Sequence, residues 1–282
     1  MGLSTRGLAL ISKRIFGTKV SHDKISECAA KISESVELWR TRSITENFKY
    51  LYLDGTNFSM RIAGSIEKVN VLVVIGVTET GHKQVIALQA GDKESAANWR
   101  QLFKDLKARG LNSEAVKLGI MDGLPGLEKV FIEEFKNAQI QRCQVHVARN
   151  VMSKVPHKIK EKVADEVRSI FYASTEGKAR EFFANFKANY NNEIPSAVKC
   201  LESSLNETLA YLKFPEAEWK ALRTTNPIER LNKEFKRRTK PMEIVAGEKS
   251  CYNLLVVISL RMELYWKRHP ITLEGSLPWL KD

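Results

Sequence analysis

The chain has 282 residues, of which 43% are hydrophobic, and this composition excludes an intrinsically disordered protein. Its apolar runs are far too short for a membrane span, so we expect a cytoplasmic protein without a membrane partner. The formal charge of +12 favours a polyanionic partner. We expect nucleic acid, because no basic amphipathic segment resembles a membrane anchor.

Residues 1–44 are predicted to form a pair of helices. Ser4 and Ser21 are candidate N-caps, and a short break containing Gly17 separates the two helical patterns. Two helices around a short turn resemble a helix-turn-helix, which would dock on DNA. The same pattern is typical of any helical hairpin, and the sequence favours neither interpretation.

Five strands are predicted between residues 50 and 146, interleaved with two helices. The first strand ends at Asp54, and the stretch of residues 55–57 interrupts the pattern before it resumes. Ser95 caps the first helix and Pro125 starts the second. This order predicts a mixed α/β protein whose mixed sheet carries helices on its faces. The predicted strands are residues 50–53 (resuming at 58–62), 69–78, 83–91, 117–122 and 140–146.

Residues after 146 lack a strand pattern as far as the next basic helix, and we interpret them as an all-helical insertion. Asn226 and Glu229 then stand at the N-cap and N3 positions of a capping box, which explains both residues structurally. A last amphipathic helix is predicted between Cys251 and Trp266. The predicted domains are a helix-turn-helix-like segment (1–44), the first part of a core (45–146), the insertion (147–222), the last part of the core (223–270) and an irregular tail (271–282).

Three acidic residues are candidates for one common site. Asp54 and Asp122 end the first and fourth predicted strands, and Glu229 opens the basic helix. Taken singly, each aspartate precedes a glycine and is more often a turn residue. In a ribonuclease H-like sheet the first and fourth strands are neighbours, which would bring the two carboxylates together. Three carboxylates can hold the two Mg²⁺ or Mn²⁺ ions used for in-line displacement at a phosphodiester.

The helix after Glu229 is strongly basic on its exposed side, while Ile228, Leu231 and Phe235 recur at the spacing of a buried stripe. A carboxylate followed by a row of cations suits a protein that binds metal and lays a phosphate backbone along one surface. A run of lysines and arginines is also typical of a merely solvated helix face. The candidate DNA-binding residues are Lys233, Lys236, Arg237, Arg238 and Lys240.

Four segments resemble, in the same order, the signature blocks of the prokaryotic Mutator-type insertion-sequence transposases, which are DDE transposases. They are YLYLDGT, KLGIMDGLPGL, RCQVHVARN and TTNPIERLNKEFKRR, and the resemblance extends from about residue 45 to residue 270. It implies a ribonuclease H-like fold in which Asp54, Asp122 and Glu229 are the catalytic acids and bind two Mg²⁺ or Mn²⁺ ions. The implied activity is strand cleavage at the insertion-sequence ends, followed by attack of the freed 3′-OH on target DNA.

The resemblance also suggests auxiliary residues and partners. Cys143 and His146 match the C-x-x-H pair of such enzymes, and Asn226 and Arg230 match polar positions that flank the third acid. A structural zinc site has four ligands, usually two such pairs, and the sequence offers no second pair. We therefore expect Cys143 and His146 to have a packing or DNA-proximal role. The expected partners are terminal inverted repeats and target DNA, bound by a homodimer associated with the nucleoid.

Two alternatives stay open at this stage. Members of this family usually carry a longer N-terminal DNA-binding region, so we expect a shortened copy, which could be an inactive, transposase-derived DNA-binding protein. The second alternative is another ribonuclease H-like nuclease, such as a resolvase or an RNA-strand nuclease. The intact Asp54, Asp122 and Glu229 argue against the first alternative. The TTNPIER block and the helical insertion argue against the second.

Overall fold

The computed structural model describes residues 5–91 and 94–271, which contain one five-stranded sheet and a set of helices. No helix in these two ranges has the length and apolar character that crossing a bilayer requires. The strands are β1 (Phe48–Ile62), β2 (Ser65–Thr78), β3 (Lys83–Gly91), β4 (Leu118–Met121) and β5 (Gln139–Arg142). The helices are α1 (Thr5–Phe16), α2 (His22–Arg40), α3 (Ala96–Ala108), α4 (Pro125–Glu134), α5 (Gln144–Met152), α6 (Lys160–Phe171), α7 (Glu176–Tyr190), α8 (Pro195–Glu202), α9 (Leu205–Leu209), α10 (Trp219–Leu222), α11 (Asn226–Thr239) and α12 (Glu248–Trp266).

The sheet is mixed and follows the predicted element order. Its strands lie in the order β3-β2-β1-β4-β5, with β2 antiparallel to both β1 and β3, and with β4 and β5 parallel to β1. Short connections join the antiparallel strands, whereas a helix precedes each parallel strand because a parallel crossover needs a longer connection. The prediction of a mixed α/β protein is therefore confirmed.

The N-terminal pair of helices is present as predicted. Ser21 caps α2, because its hydroxyl accepts a hydrogen bond from the backbone N–H of Lys24. Ser4, the predicted cap of the first helix, lies outside the described residues. Ser95 likewise caps α3, accepting from the backbone N–H of Asn98.

The predicted end of the first strand is wrong. β1 continues through Asp54 and Gly55 to Ile62, and the residues opposite these two are Val73 and Leu72 of β2. The long apolar run of β2 lies beside this part of β1 and supplies partners for its backbone hydrogen bonds. A continuous ladder then satisfies the backbone groups that a turn at the Asp-Gly pair would leave to solvent.

The fifth strand is also shorter than predicted. It ends at Arg142, and Cys143 is the N-cap residue of α5. The Cys143 N–H still donates to the Met121 carbonyl (2.9 Å), but the next N–H, of Gln144, turns to the Arg223 carbonyl (3.0 Å). His146 consequently lies in the first turn of a helix rather than in a strand.

Two apolar cores lie on opposite faces of the sheet. Successive residues of β1 alternate between them, so that Tyr50 and Tyr52 share a core with α11 and α12, and Leu51 and Leu53 share one with α3 and α4. From Val69 onward β2 is buried on both faces, which accounts for its continuous apolar sequence. The predicted stripe of α11 is buried in the first core at Ile228, Leu231 and Phe235.

Residues 147–222 are helical as predicted, with no strand among them. The apolar residues Val198, Leu201, Leu205 and Leu209 recur as in one helix, but they lie in two, α8 and α9. Buried Gln141 of β5 ties these helices to the sheet: its Nε2 donates to the Thr208 carbonyl (3.0 Å) and its Oε1 accepts from the Tyr211 N–H (2.8 Å). The helices share a third apolar core, whose fully buried members include Val163, Phe186 and Leu201.

β3 forms one edge of the sheet, and side chains satisfy its outward backbone groups. Arg42 donates to the Val85 carbonyl (2.9 Å), and Glu263 of α12 accepts from the Val85 N–H (2.6 Å). An edge strand otherwise presents unpaired N–H and C=O groups to solvent. Further contacts of this kind join Arg40 to the Leu88 carbonyl, Arg109 to the Ile86 carbonyl and the Tyr252 hydroxyl to the Ala90 N–H.

Candidate active site

Asp54 lies within β1, where α11 reaches the sheet. Its Oδ2 accepts a hydrogen bond from Asn232 Nδ2 (2.7 Å), and its Oδ1 accepts one from the Gly55 backbone N–H (2.8 Å). Burial raises the pKa of Asp54 to about 7, and the negative charges of Asp122 and Glu94 act in the same direction. The metal-free carboxyl group therefore holds its proton over much of the acidic range.

Asp122 directly follows β4, the strand parallel to β1. The register pairs Tyr52 with Ile120, and its continuation by two residues sets Asp122 beside Asp54. The effect of the Asp122 charge on the pKa of Asp54 agrees with this position. Desolvation raises the pKa of Asp122 itself, and the nearby His146 opposes the rise.

Glu229 approaches Asp122 from the first turns of α11. The Thr225 hydroxyl lies between the two carboxylates, with its Oγ1 2.7 Å from Glu229 Oε1 and 3.2 Å from Asp122 Oδ1. His146 Nδ1 lies 2.9 Å from Asp122 Oδ1 and 3.8 Å from Glu229 Oε1. One hydroxyl hydrogen cannot bond fully to two acceptors, so Thr225 shares it between them. Asp122 is thus the member that neighbours both other acids.

The capping box predicted for α11 is wrong. The helix begins at Asn226, its N-cap residue is Thr225, and no side chain there makes a capping hydrogen bond. Glu229 therefore lies one position beyond N3, where a capping-box acid would stand. Its carboxylate contacts the Thr225 hydroxyl rather than a backbone N–H. Because the helix end does not need this carboxylate, the side chain of Glu229 is available to the site.

Cys143, His146 and Asp122 offer ligand atoms within 4.8 Å of one another. Cys143 is fully buried, burial raises the pKa of its thiol, and its Sγ accepts from the Thr225 N–H (3.4 Å). Zinc binds a thiolate, and structural zinc takes four ligands. A protonated thiol in a group of three does not fit that requirement. The carboxylates of the site are hard oxygen donors, which fit a cation of the Mg²⁺ type.

Glu94 is a fourth acid beside this cluster, and sequence reasoning misses it. A Cβ atom added at Gly55 would lie 2.5 Å from Glu94 Oε2, so the absence of a side chain there lets the carboxylate approach β1. Trp99 Nε1 donates to Glu94 Oε1 at 3.3 Å and holds the side chain in place. The sequence signal is the glycine after Asp54, which suits a close approach to the backbone as well as a turn.

The basic side of α11 continues from the acids toward the end of the helix. Arg237 pairs with Glu234 at 3.1 Å, a contact between partly exposed groups. Asn226 and Arg230 line a separate cleft, in which the Arg230 guanidinium lies 4.9 Å from the centre of the Tyr265 ring. Of the candidate DNA-binding residues, Arg238 is half-buried and the exposed ones are Lys233, Lys236, Arg237 and Lys240.

Comparison with known proteins gives one consistent result. The model of the family described as "Transposase, Mutator family" matches residues 1–269. The transposase for insertion sequence element IS406 of Burkholderia multivorans is 31% identical over 268 residues, 94% of this chain and 68% of that protein. The transposase for IS905 of Lactococcus lactis is 30% identical over 257 residues, 91% of this chain and 65% of that protein.

A third relative, the transposase for ISRM5 of Rhizobium meliloti, is 29% identical over 265 residues, 94% of this chain and 66% of that protein. The chain thus spans about two thirds of the length of the relatives that it matches. Its similarity to them extends over the sheet, the helical insertion and α11.

Proposed function

Because the chain belongs to the Mutator family of transposases, we propose that it cleaves DNA at the ends of an insertion sequence and joins the freed 3′-OH ends to target DNA. One observation carries this proposal: Asp122, which directly follows β4, neighbours both Asp54 of β1 and Glu229 of α11. The relatives are insertion-sequence transposases by name, and the cluster supplies a site for the chemistry.

The proposed fold is ribonuclease H-like. Three antiparallel strands followed by two parallel ones, in the order β3-β2-β1-β4-β5, support it. We propose residues 45–146 and 223–270 as one catalytic core, with residues 147–222 inserted between its parts, because the inserted helices have an apolar core of their own. Residues 1–44 would be a helical segment for docking DNA.

Asp54, Asp122 and Glu229, with Glu94 as a fourth carboxylate, would hold two divalent cations of the Mg²⁺ type. When bound, such a pair would activate the attacking oxygen and stabilise the leaving oxygen of an in-line displacement. Asn232 orients Asp54 by its hydrogen bond of 2.7 Å. Hydrogen bonds from neighbouring residues, like this one, hold metal-binding groups in their orientation.

His146 and Thr225 would keep Asp122 and Glu229 close together despite their like charges. His146 Nδ1 lies 2.9 Å from Asp122 Oδ1, and the Thr225 hydroxyl gives a hydrogen bond shared by Asp122 and Glu229. We propose this positioning role for His146 and a packing role for buried Cys143.

The proposed partners are the terminal inverted repeats and the target DNA. The exposed cations of α11 would hold the phosphates of the strand that leaves the acids, since such contacts position DNA without reading its sequence. Two copies of the chain would act together on two ends.

The direct test is to incubate the chain with pre-cut terminal DNA and Mg²⁺ or Mn²⁺ and to separate the products on a denaturing gel. Joined products that require the metal support the proposal. DNA retention without any metal-dependent product would instead favour the DNA-binding alternative. Cleavage of the RNA strand of a hybrid, with DNA left intact, would favour an RNA-strand nuclease.

Glu94→Gln is expected to weaken Mn²⁺ binding by about 10–100-fold, the usual cost of losing a supporting group at a metal site. Glutamine keeps an oxygen for the Trp99 N–H and changes little but the charge. Electron paramagnetic resonance of Mn²⁺ titrated into the protein measures the affinity. Glu133→Gln, at an acid that pairs with Arg100 on the outside of α4, is the matched control. Equal affinities of Glu94→Gln and wild type would remove Glu94 from the site.

Replacing Lys233 and Lys236 together by alanine is expected to weaken DNA binding uniformly across sequences. Each lost phosphate contact lowers the slope of log K against log salt by about 0.9, so the double variant should lose about two units. Filter binding at several salt concentrations gives the slope. Lys104→Ala on α3, which packs on the other face of the sheet, is the control. An unchanged slope in the double variant would show that DNA follows another path.

A further inference from the structure

A cleft of about 500 Å³ lies between α10, the start of α11 and the end of α12. Its volume falls in the range of about 300–1,000 Å³ that is usual for small-molecule sites. Four of its lining residues carry side chains that are cationic or can become so, and none of the described residues that line it is acidic. The four are Lys83 of β3, Lys220 of α10, Arg230 of α11 and His269, which follows α12.

Lys83 is a buried lysine whose only close polar contact is a carbonyl group. Its surface is 8% exposed, and its Nζ donates to the His269 carbonyl at 2.8 Å. Burial lowers the pKa of Lys83 to about 8, and no acid opposes this effect, so the ammonium group is mostly charged at pH 7. Glu263, on another side of Lys83, interacts instead with the Val85 N–H and with Arg42. A buried charge without a counter-ion is costly, which favours an anionic ligand in the cleft.

A series of contacts connects Lys83 to Arg230 along the wall of the cleft. The carbonyl that Lys83 contacts belongs to His269, whose ring stacks on the Tyr265 ring with a distance of 4.4 Å between the ring centres. The Arg230 guanidinium lies 4.9 Å from the centre of the same Tyr265 ring. The Ile271 N–H donates to the Gly81 carbonyl at 2.9 Å, which ties the residues after α12 to the turn between β2 and β3. The cationic groups therefore belong to one connected wall.

His269 can add a further donor to this wall. Its Nδ1 lies 2.9 Å from the Tyr265 carbonyl, which can only accept, so Nδ1 carries a hydrogen. When the ring is protonated, Nε2 also carries one and can donate it to an anion.

The depth of Lys83 favours a terminal phosphate over a phosphate within a chain. A phosphodiester has a nucleoside on either side, so it suits exposed cations such as those of α11. A terminal phosphate has one attached group, three free oxygens and about 1.5–2 negative charges at pH 7. It can enter a cleft, and an arginine such as Arg230 can bind two of its oxygens at once.

We propose that this cleft binds a 5′-phosphomonoester, with the phosphate between Lys83 and Arg230 and the nucleoside toward the exposed Lys220. A free nucleotide and a 5′-phosphorylated DNA end both carry this group. Only the second source rests on the proposed function. Hydrolysis that frees a 3′-OH transfers the oxygen of water to phosphorus and leaves the phosphate on the 5′ side of the break. The cleft would then hold a DNA end that the reaction itself produces.

Fluorescence anisotropy tests the proposal with a short single strand that is labelled at its 3′ end and carries either a 5′-phosphate or a 5′-OH. The full chain is titrated into each strand in the presence of EDTA, so that metal chemistry plays no part. We expect the 5′-phosphate strand to bind about tenfold more tightly or better, the effect of one hydrogen bond to a charged group. Lys83→Met should bring the two affinities together.

Lys117→Met is the matched control, because Lys117 also donates to a carbonyl, that of Glu114 at 3.1 Å, but lies outside the cleft. This variant should keep the preference for the 5′-phosphate. Deoxyadenosine 5′-monophosphate added to the wild-type titrations distinguishes the two sources. If it removes the difference between the strands, a free nucleotide is a sufficient ligand. If the difference persists, the ligand is the DNA end.

Equal affinities of the wild type for the two strands, or a preference that Lys83→Met retains, overturn the inference. If Lys83→Met melts well below the wild type, Lys220→Glu at the rim of the cleft takes its place and should likewise reduce the preference. A preference for the 5′-phosphate without metal-dependent joining of DNA ends overturns the proposed catalysis and keeps the cleft. Joining without the preference does the reverse.

Discussion

Glu229→Gln is expected to abolish metal-dependent joining of DNA ends and to leave the fold intact. Glutamine keeps the size of the side chain and an oxygen for the Thr225 hydroxyl, which lies 2.7 Å from Glu229 Oε1. It removes the negative charge that would hold a cation. Metal ions contribute several kcal/mol of charge stabilisation, so we expect a loss of about a thousandfold in rate. Joining of pre-cut terminal DNA with Mn²⁺ measures the rate.

Glu234→Gln is the matched control for this experiment, because Glu234 lies on the same helix but pairs with Arg237 away from the acids. A partly exposed ion pair is worth about 0–1 kcal/mol, so this variant should join DNA at nearly the wild-type rate. Circular dichroism checks that both variants are folded. If Glu229→Gln joins ends as fast as wild type, Glu229 is not the third acid.

The metal-free protein is expected to melt at a higher temperature near pH 5 than near pH 8. Asp54 has a pKa of about 7 in the folded chain, against an ordinary value of 3.8. Between these values the folded state binds a proton that the unfolded state lacks, so stability falls as pH rises toward 7. Between pH 5 and pH 7 this loss of stability corresponds to about 3 kcal/mol as an upper limit. The raised pKa values of Glu94 and Asp122 act in the same direction.

Divalent cations are expected to reverse this pH dependence. Mn²⁺ binds carboxylates in their charged form, so it should raise the melting temperature near pH 8 and have little effect near pH 5. Asp54→Asn should lose most of both effects, whereas Asp165→Asn, at an exposed acid of α6, should keep them. Scanning calorimetry at the two pH values gives the result. A melting temperature of wild type that rises from pH 5 to pH 8 without metal would contradict the assignment.

Hydrophobic patterning predicts the order of strands and helices correctly. Each element buries one face, and apolar residues recur along the sequence with a period that differs between helices and strands. It fails at Asp54, where the Asp-Gly pair favours a turn locally but β2 supplies a partner for a continuous strand. It fails again after Arg142, since a strand and a first helical turn look alike over a few residues. The end of β5 depends on the contact of the Gln144 N–H with the Arg223 carbonyl, which is remote in sequence.

The candidate site, like the fold, can be predicted from the sequence only in part. Asp54 and Asp122 can be placed together from the strand order, because the register of two parallel strands fixes which residues are neighbours. Thr225, Asn232 and Glu94 cannot be found in this way. Their roles depend on where α11 and the residues before α3 settle against the sheet, and no local spacing encodes those positions.

The side chains that satisfy β3 also restrict how two copies of the chain can associate. A neighbouring molecule cannot extend the sheet at this edge, because Arg42 and Glu263 already occupy the backbone groups of Val85. The opposite edge, β5, lies against α9. Among the described residues, both edges of the sheet are therefore closed to strand pairing with a second copy, which protects the protein against open-ended β-aggregation.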